Sequence, residues 1–220
     1  MQMGVLDPIF ATPLSVRMIP NIDSNFSDQL KLRSDQHCIG LITADNDDAT
    51  YVSIDEATKM ADVEVVYAHS FYAGSAHASG LLSGEILAII AGPNPAEVSA
   101  GLNAAVNYMK NEAIWYSANE NGSITFFPHL ISRTGSYLSK VCNIPLGTPI
   151  AYLVAPPLEG LVALDAALKA SSTTIASLTM PPSETNFMGV MLTGDQSACK
   201  AATIAFREMV LEIAREPIKY

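Results

Sequence analysis

Apolar runs of strand length recur along this chain, each ending at a turn residue and followed by a stretch with helical spacing. The clearest is G-E-I-L-A-I-I-A-G-P-N-P-A-E-V-S-A-G-L-N-A-A-V over 84–106. Its apolar run predicts a strand that stops at a glycine turn. N-P-A-E then predicts a helix start, with Pro95 near the first helical position and Glu97 in the first turn, where an acid suits the helix dipole. Ala96, Ala100, Ala104 and Ala105 predict a thin face for close packing on a sheet.

The same order returns in N-F-M-G-V-M-L-T-G-D-Q-S-A-C-K-A-A-T-I-A-F over 186–206, with Asp195 as the expected cap. Gly92 and Gly194 stand 102 apart, and Ala96/Ala198 and Ala100/Ala202 keep that spacing. Upstream, E-A-T-K-M-A-D (56–62) answers E-G-L-V-A-L-D (159–165), and T-Y-V-S-I (50–54) answers A-Y-L-V-A (151–155). The chain reads as two copies of a unit of about 105 residues. Domains are predicted at 1–112 and 113–220, with the polar A-N-E-N-G-S (118–123) as the joint.

In the first copy, strands are predicted near 14–19, 38–43, 49–54 and 84–91, and helices near 24–32, 55–67 and 94–110. In the second, strands are predicted near 124–131, 149–154, 173–178 and 187–193, and helices near 134–141, 157–169 and 195–214. Mixed elements in so short a unit predict an α/β class, an α+β sandwich with one sheet and helices on one side. Matching F-S-D-Q-L (26–30) to Y-L-S-K-V (137–141) needs a spacing of 111, which places about ten extra residues before Tyr51 in the first copy. T-A-D-N-D-D-A-T-Y (43–51) then lies in or beside an insertion. Two readings stay open there: a turn built on Asp and Asn, or a metal or ammonium seat at Asp47 and Asp48.

Composition narrows the setting. Only 15% of residues are charged, against about 25% in an ordinary soluble domain, and mean hydropathy is positive. Yet the longest strongly apolar run, I-L-A-I-I-A (86–91), is far short of the roughly 20 residues of a membrane span. M-Q-M-G-V-L-D-P has no basic region of a signal peptide. The expectation is a soluble protein of the cytoplasm, its surface covered by copies of itself or by partners. A net charge of −10 offers no basic stripe, which argues against nucleic acid. Cys38, Cys142 and Cys199 show no C-x-x-C spacing and read as small buried thiols rather than a zinc ribbon or disulfide framework.

Catalytic motifs are scarce. G-x-G-x-x-G after a strand, Walker A, H-E-x-x-H and G-x-S-x-G are all missing, and S-A-C-K (197–200) matches S-x-x-K by chance. His69 and His77 flank F-Y-A-G-S-A and have the chemistry to share a metal; hydrogen-bonded loop histidines fit better, and no metal is expected. His37 and His129 have no partner in sequence. S-R-T-G-S-Y-L (132–138) fits an anion-binding turn with Arg133, or equally an N-cap by Thr134 or Ser136. An enzyme using the Asp47/Asp48 carboxylates for acid–base or metal-assisted chemistry is the alternative function. It lacks an accompanying nucleophile. A structural protein with no ligand is a third reading.

A resemblance then orders these fragments. D-E-A-T-K (55–59), V-E-V-V-Y (63–67), G-P-N-P-A-E (92–97), S-R-T-G-S-Y-L-S (132–139), A-Y-L-V-A-P-P-L-E (151–159), P-P-S-E-T-N (181–186), A-C-K-A-A (198–202) and V-L-E-I-A-R (210–215) are motifs of this chain. Together they resemble the ethanolamine-utilisation shell proteins of bacterial microcompartments, a tandem-domain shell family, essentially end to end. The likeness departs at 1–12, 78–83 and 114–123.

The resemblance implies two circularly permuted microcompartment domains per chain, each a small, mostly antiparallel sheet with helices on one side. It implies a homotrimer closing into a flat pseudohexameric tile beside other shell proteins, in the microcompartment shell of the bacterial cytoplasm, and no enzyme. It also implies a central pore that opens and closes, and three small acidic pores that accept ethanolamine. Carried over by position, the small-pore residues are Asp47, Asp48, Glu85, Trp115, Thr185 and Asn186. The gate is expected near 69–82 and 171–185, at His69, Phe71, Tyr72, Gly74 and His77 and at Pro181, Pro182 and Ser183. No cofactor of its own is expected. Passage of cobalamin through the central pore would suit a pathway whose lyase depends on it.

Overall fold

The structure, a computed structural model, describes residues 3–71, 80 and 82–220. In chain order the elements begin with β1 Pro8–Phe10, β2 Pro13–Ile19, α1 Ser24–Leu30, β3 Cys38–Ala44, α2 Asp47–Met60, β4 Glu64–Ser70, β5 Ile86–Gly92 and α3 Pro95–Asn111. They continue with β6 Ile114–Ser117, β7 Thr125–Ile131, α4 Ser136–Cys142, β8 Ile150–Ala155, α5 Pro157–Ala170, β9 Thr174–Thr179, β10 Met188–Thr193 and α6 Gln196–Arg215.

The chain divides into two compact units. One holds Phe10–Ala113 with Gly135–Leu138; the other holds the described part of Met1–Ile9 with Ile114–Thr134 and Ser139–Tyr220. The first has a four-stranded sheet in the order β2-β3-β5-β4, antiparallel throughout. Its central strands, C-I-G-L-I-T-A and I-L-A-I-I-A-G, are almost wholly buried, which is why they read as continuous apolar runs rather than alternating ones. The second unit repeats the pattern as β7-β8-β10-β9, again antiparallel, and adds β6 and β1 beyond β7. Phe126, Leu153, Met188, Leu192, Phe206 and Val210 anchor its core. Helix α2 packs on α3, and α5 on α6.

Several expectations need correction. The strand expected at 49–54 is the first half of α2, and the helix expected over 55–67 stops at Met60 so that Glu64–Ser70 can enter the sheet. Tyr-Val-Ser-Ile has strand propensity, but Asn46 caps a helix there, its side chain accepting from the Ala49 N–H at 2.8 Å. The repeat therefore runs differently from its sequence pairing. Asp47 matches Pro157 and Glu64 matches Thr174, both 110 apart, whereas Ile86 matches Met188, 102 apart. Eight of the extra residues of the first copy lie between β4 and β5 and two before Asp47, since Ser24 matches Ser136 at a spacing of 112. Asp47 and Asp48 themselves are not inserted; their counterparts are Pro157 and Leu158 at the start of α5.

Two smaller points follow the same logic. The buried face of α3 is Val98, Gly101, Leu102, Ala105 and Met109, spaced as one helical stripe, while Ala96 and Ala100 face solvent. Residues 118–123 form no joint: they lie in the connection between the paired strands β6 and β7.

Candidate functional site

Chain geometry at the start of α2 explains the acid stretch residue by residue. Asp45 precedes the helix and is exposed; its carboxylate accepts from the Thr12 N–H at 2.6 Å. Asn46 is the N-cap, and Thr50 donates its hydroxyl to the Asn46 carbonyl at 2.6 Å. Asp47 and Asp48 occupy the first turn, where the helix dipole favours negative charge. Both are buried. Asp47 also accepts from the Asp48 N–H at 2.9 Å. The turn reading does not describe them: both are helical residues in the first turn of α2.

Glu85 joins them from the far side of the β4–β5 connection. Its N–H donates to the Ala44 carbonyl at 2.8 Å, and its own carbonyl accepts from the Phe71 N–H at 2.8 Å and the Ser70 hydroxyl at 3.3 Å. Burial, then the charges of Asp47 and Asp45, push the Glu85 carboxyl up to about 8 from an ordinary 4.5. Tyr51, one turn into α2, was not singled out in the sequence. Its hydroxyl accepts from the Ser70 N–H at 3.1 Å, and its ring stacks on Tyr137 at 6.2 Å. Burial first, then Tyr137, Asp47 and Asp48, hold that phenol protonated well above its usual range. Alternation of apolar and polar residues could not have found it; only its position one turn after two acids on a helix does.

This cluster concentrates negative charge. A positive charge placed beside it would favour the ionised form of Glu85. Among the described residues, no group of three or more His, Cys, Asp and Glu is arranged to hold a metal. His77, half of the His69/His77 metal reading, lies outside the described residues.

The other three expected ligand residues belong to the second unit. Trp115, on β6, is buried, stacked on Phe127 at 5.4 Å and edge-on to Phe187 at 5.7 Å. Asn186 takes a left-handed backbone, φ 59°, and donates its N–H to the Ser183 carbonyl at 3.3 Å. Thr185 accepts from the Phe187 N–H at 3.4 Å, and the Ser183 hydroxyl donates to the Phe187 carbonyl at 3.0 Å. This turn presents Phe187 to the indole, with Thr185 and Asn186 immediately before it.

The expected gate positions divide less evenly. His69 is in β4, its ring 4.8 Å from Tyr67, and Phe71 is exposed just after that strand. Tyr72, Gly74 and His77 lie outside the described residues. Strand β9 occupies 174–179, so the second loop is the shorter 180–187, with Pro181, a cis Pro182 and Ser183.

The S-R-T-G-S-Y-L turn binds an anion from its own chain. Asp55 accepts from the Gly135 N–H at 2.7 Å and the Leu138 N–H at 2.8 Å, and Thr58 accepts from the Ser136 N–H at 3.0 Å. The cap of α4 is therefore Asp55, and neither Thr134 nor Ser136: the Thr134 hydroxyl instead donates to the Thr148 carbonyl at 2.9 Å.

Comparison with known proteins gives consistent results. The BMC domain family matches residues 38–119. The bacterial microcompartment shell protein EutL of Escherichia coli (strain K12) is 50% identical over 217 residues, covering 99% of each chain. The EutL of Clostridium perfringens (strain 13 / Type A) is 50% identical over 214 residues, 97% of this chain and 99% of that one. The crystal structure of the ethanolamine utilization protein EutL from Leptotrichia buccalis superposes with a TM-score of 0.95 at 52% identity, covering 99% of this chain and 100% of that chain.

Proposed function

This chain belongs to the EutL bacterial microcompartment shell proteins, and on that premise we propose that it works as a trimeric tile that binds ethanolamine in small acidic pores and gates a larger central one. Its relatives are structural shell proteins, so the carboxylate-enzyme reading falls away. Asp47, Asp48 and Glu85 carry the proposal: two buried carboxylates and a third that burial, then the charges of Asp47 and Asp45, push up to about 8. An ammonium offsets that crowding through charge-assisted hydrogen bonds worth about 1.5–3 kcal/mol each. Trp115, Thr185 and Asn186 are the further contacts that the family likeness suggests.

Ligand size limits the affinity. At about 1.5 kcal/mol per heavy atom, the four heavy atoms of ethanolamine give at most roughly 6 kcal/mol, a Kd no tighter than tens of micromolar. Such binding suits a sensor of substrate level. It biases a gate only if one state of the pore binds the amine better than the other.

Duplication supports the trimer: three chains of two copies make a ring of six through heterologous contacts that close. The connections β4–β5 and β9–β10 occupy equivalent places in the two copies, and there we place the gate, with cobalamin as the large solute that an open centre would pass. Calorimetry of Asp47→Asn/Asp48→Asn tests the ligand. The expected result is an intact trimer with ethanolamine binding abolished; unchanged affinity would return the acids to a capping role. Crystals grown with and without ethanolamine in which both connections hold one conformation would move the gate elsewhere.

A further inference from the structure

We propose that Tyr51 reads the hydroxyl end of the ligand, donating its phenol O–H to the alcohol oxygen of an amino alcohol whose ammonium lies among Asp47, Asp48 and Glu85. The inference rests on the amine-binding reading above. It adds the residue that tells ethanolamine from a plain alkylamine.

The helix places the phenol. Tyr51 follows Asp48 by three residues and Asp47 by four, so the three share one face of α2. Helical side chains lean toward the N-terminus, which carries the phenol over the turn that holds both acids. The charges of Asp47 and Asp48 reach it and, after burial and Tyr137, help to keep it protonated. On its other side the Tyr51 oxygen accepts from the Ser70 N–H at 3.1 Å, and the Ser70 hydroxyl donates to the Glu85 carbonyl at 3.3 Å. That oxygen is therefore held between the first turn of α2 and the Ser70/Glu85 pair, and stacking on Tyr137 fixes the ring that carries it.

What the hydroxyl leaves over decides its role. Ser70 takes one lone pair of the oxygen, while among the described residues the Tyr51 O–H itself meets no acceptor. The other hydroxyls of this part of α2 are already committed: Thr50 donates to the Asn46 carbonyl and Ser53 to that of Ala49, each at 2.6 Å. Ionised carboxylates only accept hydrogen bonds. They suit an ammonium, which only donates, but offer nothing to the oxygen of an alcohol. In ethanolamine that oxygen stands two carbons from the nitrogen, so an ammonium among the acids keeps the alcohol beside them. Tyr51 is the neutral donor that such a set lacks. A site that hydrogen-bonds a ligand hydroxyl disfavours the analogue without it, because its own polar group is then left unpaired.

Calorimetric titration of the full chain with ethanolamine and with ethylamine tests it. The wild type is expected to bind ethanolamine about three- to tenfold more tightly, the worth of one neutral hydrogen bond. Tyr51→Phe should lower the affinity for ethanolamine to that for ethylamine and leave ethylamine where it was. Equal affinities in the wild type, a preference that survives in Tyr51→Phe, or a loss that falls on both amines alike would each overturn the role of Tyr51 and leave the amine seat standing. A wild type that binds neither amine overturns both. If Tyr51→Phe does not fold, a wild-type crystal soaked with ethanolamine decides. The alcohol oxygen is expected within hydrogen-bond distance of Tyr51 Oη; an alcohol directed to any other partner overturns the inference, and a site left empty overturns the seat as well.

Discussion

The carboxylate of Asp55, in the middle of α2, holds the backbone N–H of Gly135 at 2.7 Å and, through its other oxygen, that of Leu138 at 2.8 Å. Asp55 is fully buried, and Lys59 lies 3.7 Å from it. Burial raises its pKa, opposed by the two N–H groups and by Lys59. Removing it strands two N–H donors, each costing about 1–3 kcal/mol. Asp55→Ala is therefore expected to lower stability in urea unfolding by about 2–5 kcal/mol. Gly135→Ala should act at the same place, because its Cβ would fall 2.3 Å from the Thr58 hydroxyl and 2.5 Å from the Asp55 carbonyl. A loss under 0.5 kcal/mol in both would mean the segment is held by other contacts.

Gly84 positions Glu85. It has φ +60°, and a Cβ there would lie 2.0 Å from the Ala44 carbonyl that accepts the Glu85 N–H. Gly84→Ala is expected to cost about 1–3 kcal/mol, from backbone strain, and to weaken ethanolamine binding in calorimetry by displacing the carboxyl. Binding at wild-type strength would detach Glu85 from the ligand.

Protonation of Glu85 sets a pH dependence with a definite sign. Between its ordinary 4.5 and its folded value of about 8, the native state binds more protons than the unfolded one. Stability therefore falls as pH rises through that window. Glu85→Gln removes the proton difference, so its stability relative to wild type should climb from pH 5 to pH 9 in urea midpoints. A difference that does not change with pH would remove the coupling.

The same group predicts proton-linked binding. An ammonium prefers the ionised carboxyl, while an alkylamine such as the lysine group stays protonated to about 10.4. Below pH 8, ethanolamine affinity should rise by up to about tenfold per pH unit. Calorimetry in two buffers of different ionisation enthalpy at pH 7 should show a proton released on binding. In Glu85→Gln both effects are expected to vanish; their persistence would assign the proton to another group.

The order of strands and helices in the second copy, the duplication, the cap Asp195 and the helix-starting Pro95 were legible along the chain, because each depends on neighbours within a turn or a strand. So was the acid stretch as something unusual. Its helix was missed although Asn46 followed by two acids is an N-terminal signal; the strand-forming Tyr-Val-Ser-Ile outweighed it. Only the tertiary structure decided that most of the extra residues lie between β4 and β5, that Glu85 and Tyr51 gather about Asp47 and Asp48, and that Asp55 caps a helix 80 residues away. These are pairings between distant segments. Sequence records which groups are present, but the energy of a buried carboxylate depends on which N–H groups and charges the fold brings to it, and no local pattern carries that distance.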